Sequence, residues 1–179
     1  MRYIIHLCLL FVFFISAISS KAVLAESSNI SVHGFLVDQP CNISPESTDI
    51  RLQFGDVNDK YLYRNTRTLG REFVIELTDC DISIAKSAAV TFSGTESIKL
   101  PGLIIPDSGD NKGIAFGFEA ADTGRMLPIN IKTPAVRLID GTNDLKFKGY
   151  VQAEPDAISA HTIKLGPFTA TATFTLDYF

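Results

Sequence analysis

The sequence predicts an all-β protein, an antiparallel β-sandwich. Three observations lead there. Apolar residues recur with a period of two in one short run after another. Clusters of turn-forming residues separate those runs. Two cysteines remain once an export signal is set aside, enough for one staple.

The export signal is residues 1–25. Met1-Arg2 is a positive start, and an apolar run follows from Tyr3 to Ile18. Val23-Leu24-Ala25 places small residues where a signal peptidase cuts, after Ala25. The apolar run is about 16 residues, short of the roughly 20 that a membrane span needs. Cys8 lies inside the run and not at the cut, which argues against a lipoprotein. What remains is 154 residues with 14 basic and 20 acidic side chains, net −6. A nucleic-acid binder would carry the opposite bias. A chain of this size buries about two-thirds of its unfolded surface and needs no metal to fold.

The elements follow in order. Ile30, Val32, Gly34 and Leu36 share one face of a strand, with Ser31 and His33 opposite. Cys41 and Cys80 suggest one disulfide in an exported chain, the alternative being two buried thiols. Ile50, Leu52 and Phe54 alternate with Arg51 and Gln53. Phe73, Ile75 and Leu77 alternate with Glu72, Glu76 and Thr78. Val90 and Phe92 flank Thr91, and Ile114, Phe116 and Phe118 alternate with Ala115, Gly117 and Glu119. Leu145, Phe147, Gly149 and Val151 alternate mostly with Lys146, Lys148 and Tyr150. Each run reads as a half-buried strand.

Turns are expected at Asn42–Asp49, Gly94–Pro106, Asp107–Gly113, Asp122–Gly124, Asp140–Asn143 and Glu154–Gly166. Asp56–Gly70 is ambiguous and has room for one helical turn. The last run is the most regular: Phe168, Ala170, Ala172, Phe174, Leu176 and Tyr178 alternate with Thr169, Thr171, Thr173, Thr175 and Asp177. A terminus normally frays unless something holds it, so this strand is expected to pair on the core.

Catalytic and metal patterns are weak. After cleavage only His33 and His161 remain, too few for a usual zinc site, so no metal or cofactor is expected. Ser83-Ile-Ala-Lys86 matches S-x-x-K, but S-D-N and K-T-G are missing, which leaves a loop beside Cys80. Asp107–Gly113 departs from a calcium loop at Gly109 and Lys112 and reads as a solvated turn. The protein is not expected to be an enzyme.

The two ends carry a resemblance. Ser28–Cys41, an alternating extension followed by Gly34, a short strand and a cysteine, resembles the start of chaperone–usher fimbrial subunits. It is most similar to the minor or adaptor pilins of type 1 fimbriae. Glu46-Ser-Thr48, Glu72–Cys80 and Gly166–Phe179 resemble that family too, with Gly166 fourteenth from the end and Tyr178 penultimate. The chain departs at Ala160-His161, where the family usually has glycine shortly after alanine.

The resemblance implies an incomplete immunoglobulin-like sandwich that lacks its last strand and is completed by donor-strand exchange. Residues 26–36 would be the donor extension, running into the first strand, and 37–179 a single pilin domain. Ser28, Ile30, Val32, Gly34 and Leu36 would enter a neighbouring subunit. Gly166, Phe168, Ala170, Ala172, Phe174, Leu176 and Tyr178 would line the groove that a chaperone binds. The implied partners are a periplasmic pilus chaperone, an outer-membrane usher and neighbouring fimbrial subunits. The implied setting is export through the periplasm to a fimbrium on the bacterial surface, where the subunit supports adhesion. A free-standing secreted carbohydrate-binding module is the alternative, and it needs a complete sandwich.

Overall fold

A computed structural model describes residues 30–34, 36, 38–108 and 112–179. The expected signal segment 1–25 and Ser28 lie outside the described residues, as does part of the expected turn Asp107–Gly113. The chain falls into an N-terminal segment ending at Leu36 and a body that runs to Phe179.

Five strands make the larger sheet of the body: β1 (Asn42–Ile43), β2 (Arg71–Cys80), β7 (Gly141–Ala153), β4 (Ile114–Ala120) and β5 (Met126–Leu127), in that order across the sheet. Three make the smaller one, in the order β6 (Val136–Arg137), β3 (Ser87–Ser93) and β8 (Thr173–Tyr178). Every pairing is antiparallel.

The core follows from the alternation. Phe73, Ile75 and Leu77 of β2 pair directly with Phe147, Leu145 and Asn143 of β7. Their inward side chains meet Phe92 of β3, which stacks on Phe118 at 4.3 Å and meets Phe147 edge-on at 5.1 Å. Such aromatic pairs add to simple area burial, so this cluster is the centre of the sandwich.

Cys41 and Cys80 form the disulfide, which ties the residue before β1 to the end of β2. A register shift after Leu77, with Asp79 at φ 51°, brings Cys80 round to its partner. Asn143 closes the turn into β7: its side chain accepts from Ile139 N–H at 2.9 Å and donates to Ile139 O at 2.8 Å.

Several expectations change. The ambiguous stretch holds α1 (Asp59–Asn65), capped by Asn58, whose side chain accepts from Lys60 N–H. The expected turn Glu154–Gly166 holds α2 (Pro155–Ala160), started by a proline that suits a first helical turn. β1 lies in the expected turn Asn42–Asp49, and Gly141 opens β7 within the expected turn Asp140–Asn143.

Ile30, Val32 and Leu36 are 89%, 88% and 105% exposed, and among the described residues no strand forms there. A strand needs a neighbouring edge, and the alternation of 30–36 does not supply one. For the same reason Ile50, Leu52 and Phe54 are in no ladder among the described residues.

Tyr150, Ala115 and Glu119 lie on the faces of their strands that alternate with the core. They point away from the main core, yet all three are buried. Tyr150 and Ala115 lie in a second small cluster with Leu100 and Leu103 of the 94–106 excursion. Arg67 pairs with Glu119 at 2.8 Å and lies 4.4 Å over the Tyr150 ring.

Candidate functional site: an open groove along the C-terminal strand

The site is built upward from the eleven residues Phe168–Tyr178. All six apolar residues from Phe168 to Tyr178 are half-buried and pack on the core. The threonines between them are exposed. The neighbouring strand is different: Val90 and Phe92 are 1% and 3% exposed. β8 is therefore covered on its β3 side and open on the other.

Hydrogen-bond phase gives the same answer. Ser87 and Phe179 exchange both backbone bonds, Ser87 N–H to Phe179 O at 3.1 Å and Phe179 N–H to Ser87 O at 2.9 Å. In an antiparallel ladder such pairs recur every second residue. So Asp177, Thr175 and Thr173 turn their backbone groups toward β3, where they pair with Ala89, Thr91 and Ser93. The backbone groups of Phe174, Leu176 and Tyr178 turn toward the open side. Among the described residues no backbone group lies opposite them.

The opposite wall is the stretch 50–57. Ile50, Leu52, Phe54 and Val57 are half-buried on the core. Among the described residues its backbone joins no ladder; the one bond to it comes from the Arg71 side chain to Phe54 O at 3.2 Å. Leu52 lies over Gly149, where an added Cβ would come within 2.7 Å of Leu52 Cδ1, so the glycine lets this wall sit down on β7. Phe116 of β4 touches both walls, with ring centroids 6.3 Å from Phe54 and 5.5 Å from Phe168. The result is an apolar trough with an unpaired backbone edge on each side. Such edges accept an added extended chain.

Not every expected groove residue is in it. Gly166 is exposed at φ +115°, in the turn before the strand. That conformation needs glycine, and it starts the run without lining the trough. Only Thr173–Tyr178 form the ladder; 168–172 keep the alternation but leave β3. Tyr178 points inward, and its buried hydroxyl finds no hydrogen-bond partner among the described residues. Burial pushes that phenol above its ordinary value. The wall 50–57 and the floor residue Phe116 were legible as strands but not as groove, because period two reports a face and not a neighbour.

The profile of the family described as Fimbrial protein matches residues 28–179. The chain belongs to that family. The Fimbria A protein of Serratia marcescens is 33% identical over 164 residues, 90% of this chain and 91% of that protein. The fimbrial adapter PapK of Escherichia coli is 31% identical, over 86% of this chain and 89% of its own. The crystal structure of the P pilus rod subunit PapA superposes with a TM-score of 0.68 at 26% identity, covering 79% of this chain and all of that one.

The fimbrial subunit thus has the incomplete immunoglobulin-like sandwich of the chaperone–usher pilins, and its relatives are structural subunits, not enzymes. The expected loop at Ser83–Lys86 is the turn after β2, where the Asp81 carboxylate accepts from Ser83 N–H at 2.8 Å. Hydrogen bonding from the Ser83 hydroxyl, and then from this N–H, lowers the Asp81 carboxyl from its ordinary value. His161 of the fimbrial subunit stacks on Tyr63 of α1 at 4.8 Å.

Proposed function

We propose that this chain is a building block of a chaperone–usher fimbria that polymerises by donor-strand complementation. The observation that carries the reading is the one-sided cover of Phe174, Leu176 and Tyr178 beside fully buried Val90 and Phe92. Residues 1–25 are a cleaved signal, 26–36 a donor extension and 37–179 one pilin domain. The extension presents Ser28, Ile30, Val32, Gly34 and Leu36 to the groove of a neighbouring subunit. The exposure of Ile30, Val32 and Leu36 supports this, since each gains roughly 1.5–3 kcal/mol on full burial.

Before assembly a periplasmic chaperone occupies the groove, and an outer-membrane usher exchanges it for the next subunit. The fibre stands on the cell surface and supports adhesion. A minor or adaptor position is favoured by the resemblance of Ser28–Cys41 to adaptor pilins and by the likeness to the PapK adapter.

The test compares a chain lacking residues 26–33 with one carrying a pilin donor strand fused by a flexible linker after Phe179. The fused form should be monomeric and melt far higher. Equal melting, with both forms monomeric, would show a sandwich already complete and would favour the free-standing carbohydrate-binding module. The adaptor position is checked by counting: a subunit as abundant as the shaft in isolated fimbriae refutes it.

A further inference from the structure

β3 ends at Ser93, the partner of Thr173, yet the inward alternation continues back to Phe168. The backbone groups of Thr171 and Thr169 have the same phase as those of Thr173, so they point to where β3 would have continued. β3 is not there. The chain leaves at Gly94 and returns beside the C-terminal run, with Ile105 N–H bonded to Thr95 O at 3.0 Å. What meets Thr169 and Thr171 is one residue. Asp107 N–H donates to Thr169 O at 2.8 Å. Thr171 N–H donates to Asp107 Oδ1 at 3.0 Å, and Thr171 Oγ1 donates to Asp107 Oδ2 at 3.2 Å.

We infer that Asp107 is a positioning residue for strand acceptance: it stands in for the missing end of β3 and holds residues 168–172 extended, so that the groove edge runs unbroken from Phe168 to Tyr178. The inference rests on the donor-strand reading above. Its reasoning is one of phase. Bonds to Thr169 and Thr171 on the β3 side leave the backbone groups of Ala170 and Ala172 pointing at the open side, in line with Phe174, Leu176 and Tyr178. Without the Asp107 carboxylate Thr171 loses both of these bonds and only the backbone bond from residue 107 to Thr169 O remains, so an incoming strand would have to order part of this edge as it binds. The ordering cost then falls on affinity, and only on the half of the donor that faces 168–172.

The experiment uses the full mature chain and a synthetic peptide of residues 26–36 as donor. Affinity is read by fluorescence anisotropy, and amide hydrogen exchange is read in the filled state. Asp107→Ala should weaken the peptide by about tenfold, the size expected for losing charge-assisted hydrogen bonds. Amide protection should fall at Ala170 and Ala172 and stay unchanged at Phe174, Leu176 and Tyr178. Asp107→Asn keeps an acceptor for Thr171 N–H and should restore most of the affinity. Thr171→Val, which removes only the hydroxyl bond, should fall between. Wild-type affinity in Asp107→Ala overturns the inference. So does a loss of protection along the whole strand, which would mark a general loss of stability. If the wild-type chain binds no peptide, the donor-strand reading itself fails and takes this inference with it.

Discussion

Ser87 and Phe179 form a reciprocal pair of backbone hydrogen bonds at 3.1 and 2.9 Å. That one pair sets the phase of the whole C-terminal run. It decides that the odd-numbered residues from Thr173 on bond to β3 and that even-numbered residues present both their apolar side chains and their free backbone edge to the groove. Lys132 reinforces the arrangement from the outer face. Its ammonium lies 3.2 Å from the Asp177 carboxylate and 4.9 Å over the Phe179 ring.

The two faces of β8 should respond differently to charge. Phe174 pairs with Phe92 and points inward, while Thr173 beside it is exposed. Phe174→Asp places an unpaired carboxylate on the apolar face, at a cost of several kcal/mol. It should abolish recovery of the subunit with its chaperone. Thr173→Asp should be recovered as wild type is. Equal recovery of both would refute the assignment of faces.

The extension should show the same parity. Val32→Asp should stop the chain from donating its strand while leaving its own groove able to accept a donor peptide. His33→Asp should do neither. Polymer length on native gels, with and without added peptide, separates the two functions. A slip of one residue exchanges the two faces, so an equal effect at both positions would refute the register.

Replacing both Cys41 and Cys80 with alanine should cost roughly 4 kcal/mol, the chain-entropy value for a loop of this length. The pair spans 39 positions and closes β1 onto β2 at one end of the sheet. Urea unfolding of the donor-fused form, read with and without reductant, measures it. A midpoint unchanged by the double substitution would mean that the bond contributes nothing to stability.

Gly117 has a packing reason. An added Cβ would run into the Tyr150 ring. Gly117→Ala should destabilise the fold by about 1–3 kcal/mol in urea, as overpacking does. Combining it with Tyr150→Leu should cost less than the sum of the two single changes, because one contact underlies both. Strict additivity would refute the contact.

Tyr150 also makes an alkaline prediction. Burial raises its phenol above the ordinary 10.0, and Arg67 works against that shift. The folded chain thus holds the proton more tightly than the unfolded chain. Its contribution to stability is full below pH 10 and is lost as pH rises above that value. The difference in unfolding free energy between wild type and Tyr150→Phe, followed from pH 8 to 11, should stay flat to about pH 10 and shrink beyond it. A difference that grows with pH would reverse the sign and refute the argument.

Much of this protein is legible in its sequence. The faces of β2, β3, β4, β7 and β8 follow from period two, because successive side chains in a strand point to opposite sides whatever its neighbours are. Cys41 and Cys80 could be paired by count and compartment alone. The inward set Phe168 to Tyr178 could be named without coordinates. What tertiary structure decided is who stands beside each element. Alternation in 30–36 and 50–57 is as regular as in β2, yet these stretches join no ladder among the described residues, because a ladder requires an edge supplied from elsewhere in sequence. Glu119 and Tyr150 carry the pattern of a solvent face and are buried by Arg67 and by the 94–106 excursion. The open side of β8, and the placement of Asp107 where β3 stops, depend on chain paths more than 60 residues apart. Side-chain direction is a local property of the strand, whereas hydrogen-bond partners and cover are supplied by distant segments, and only the folded chain brings those together.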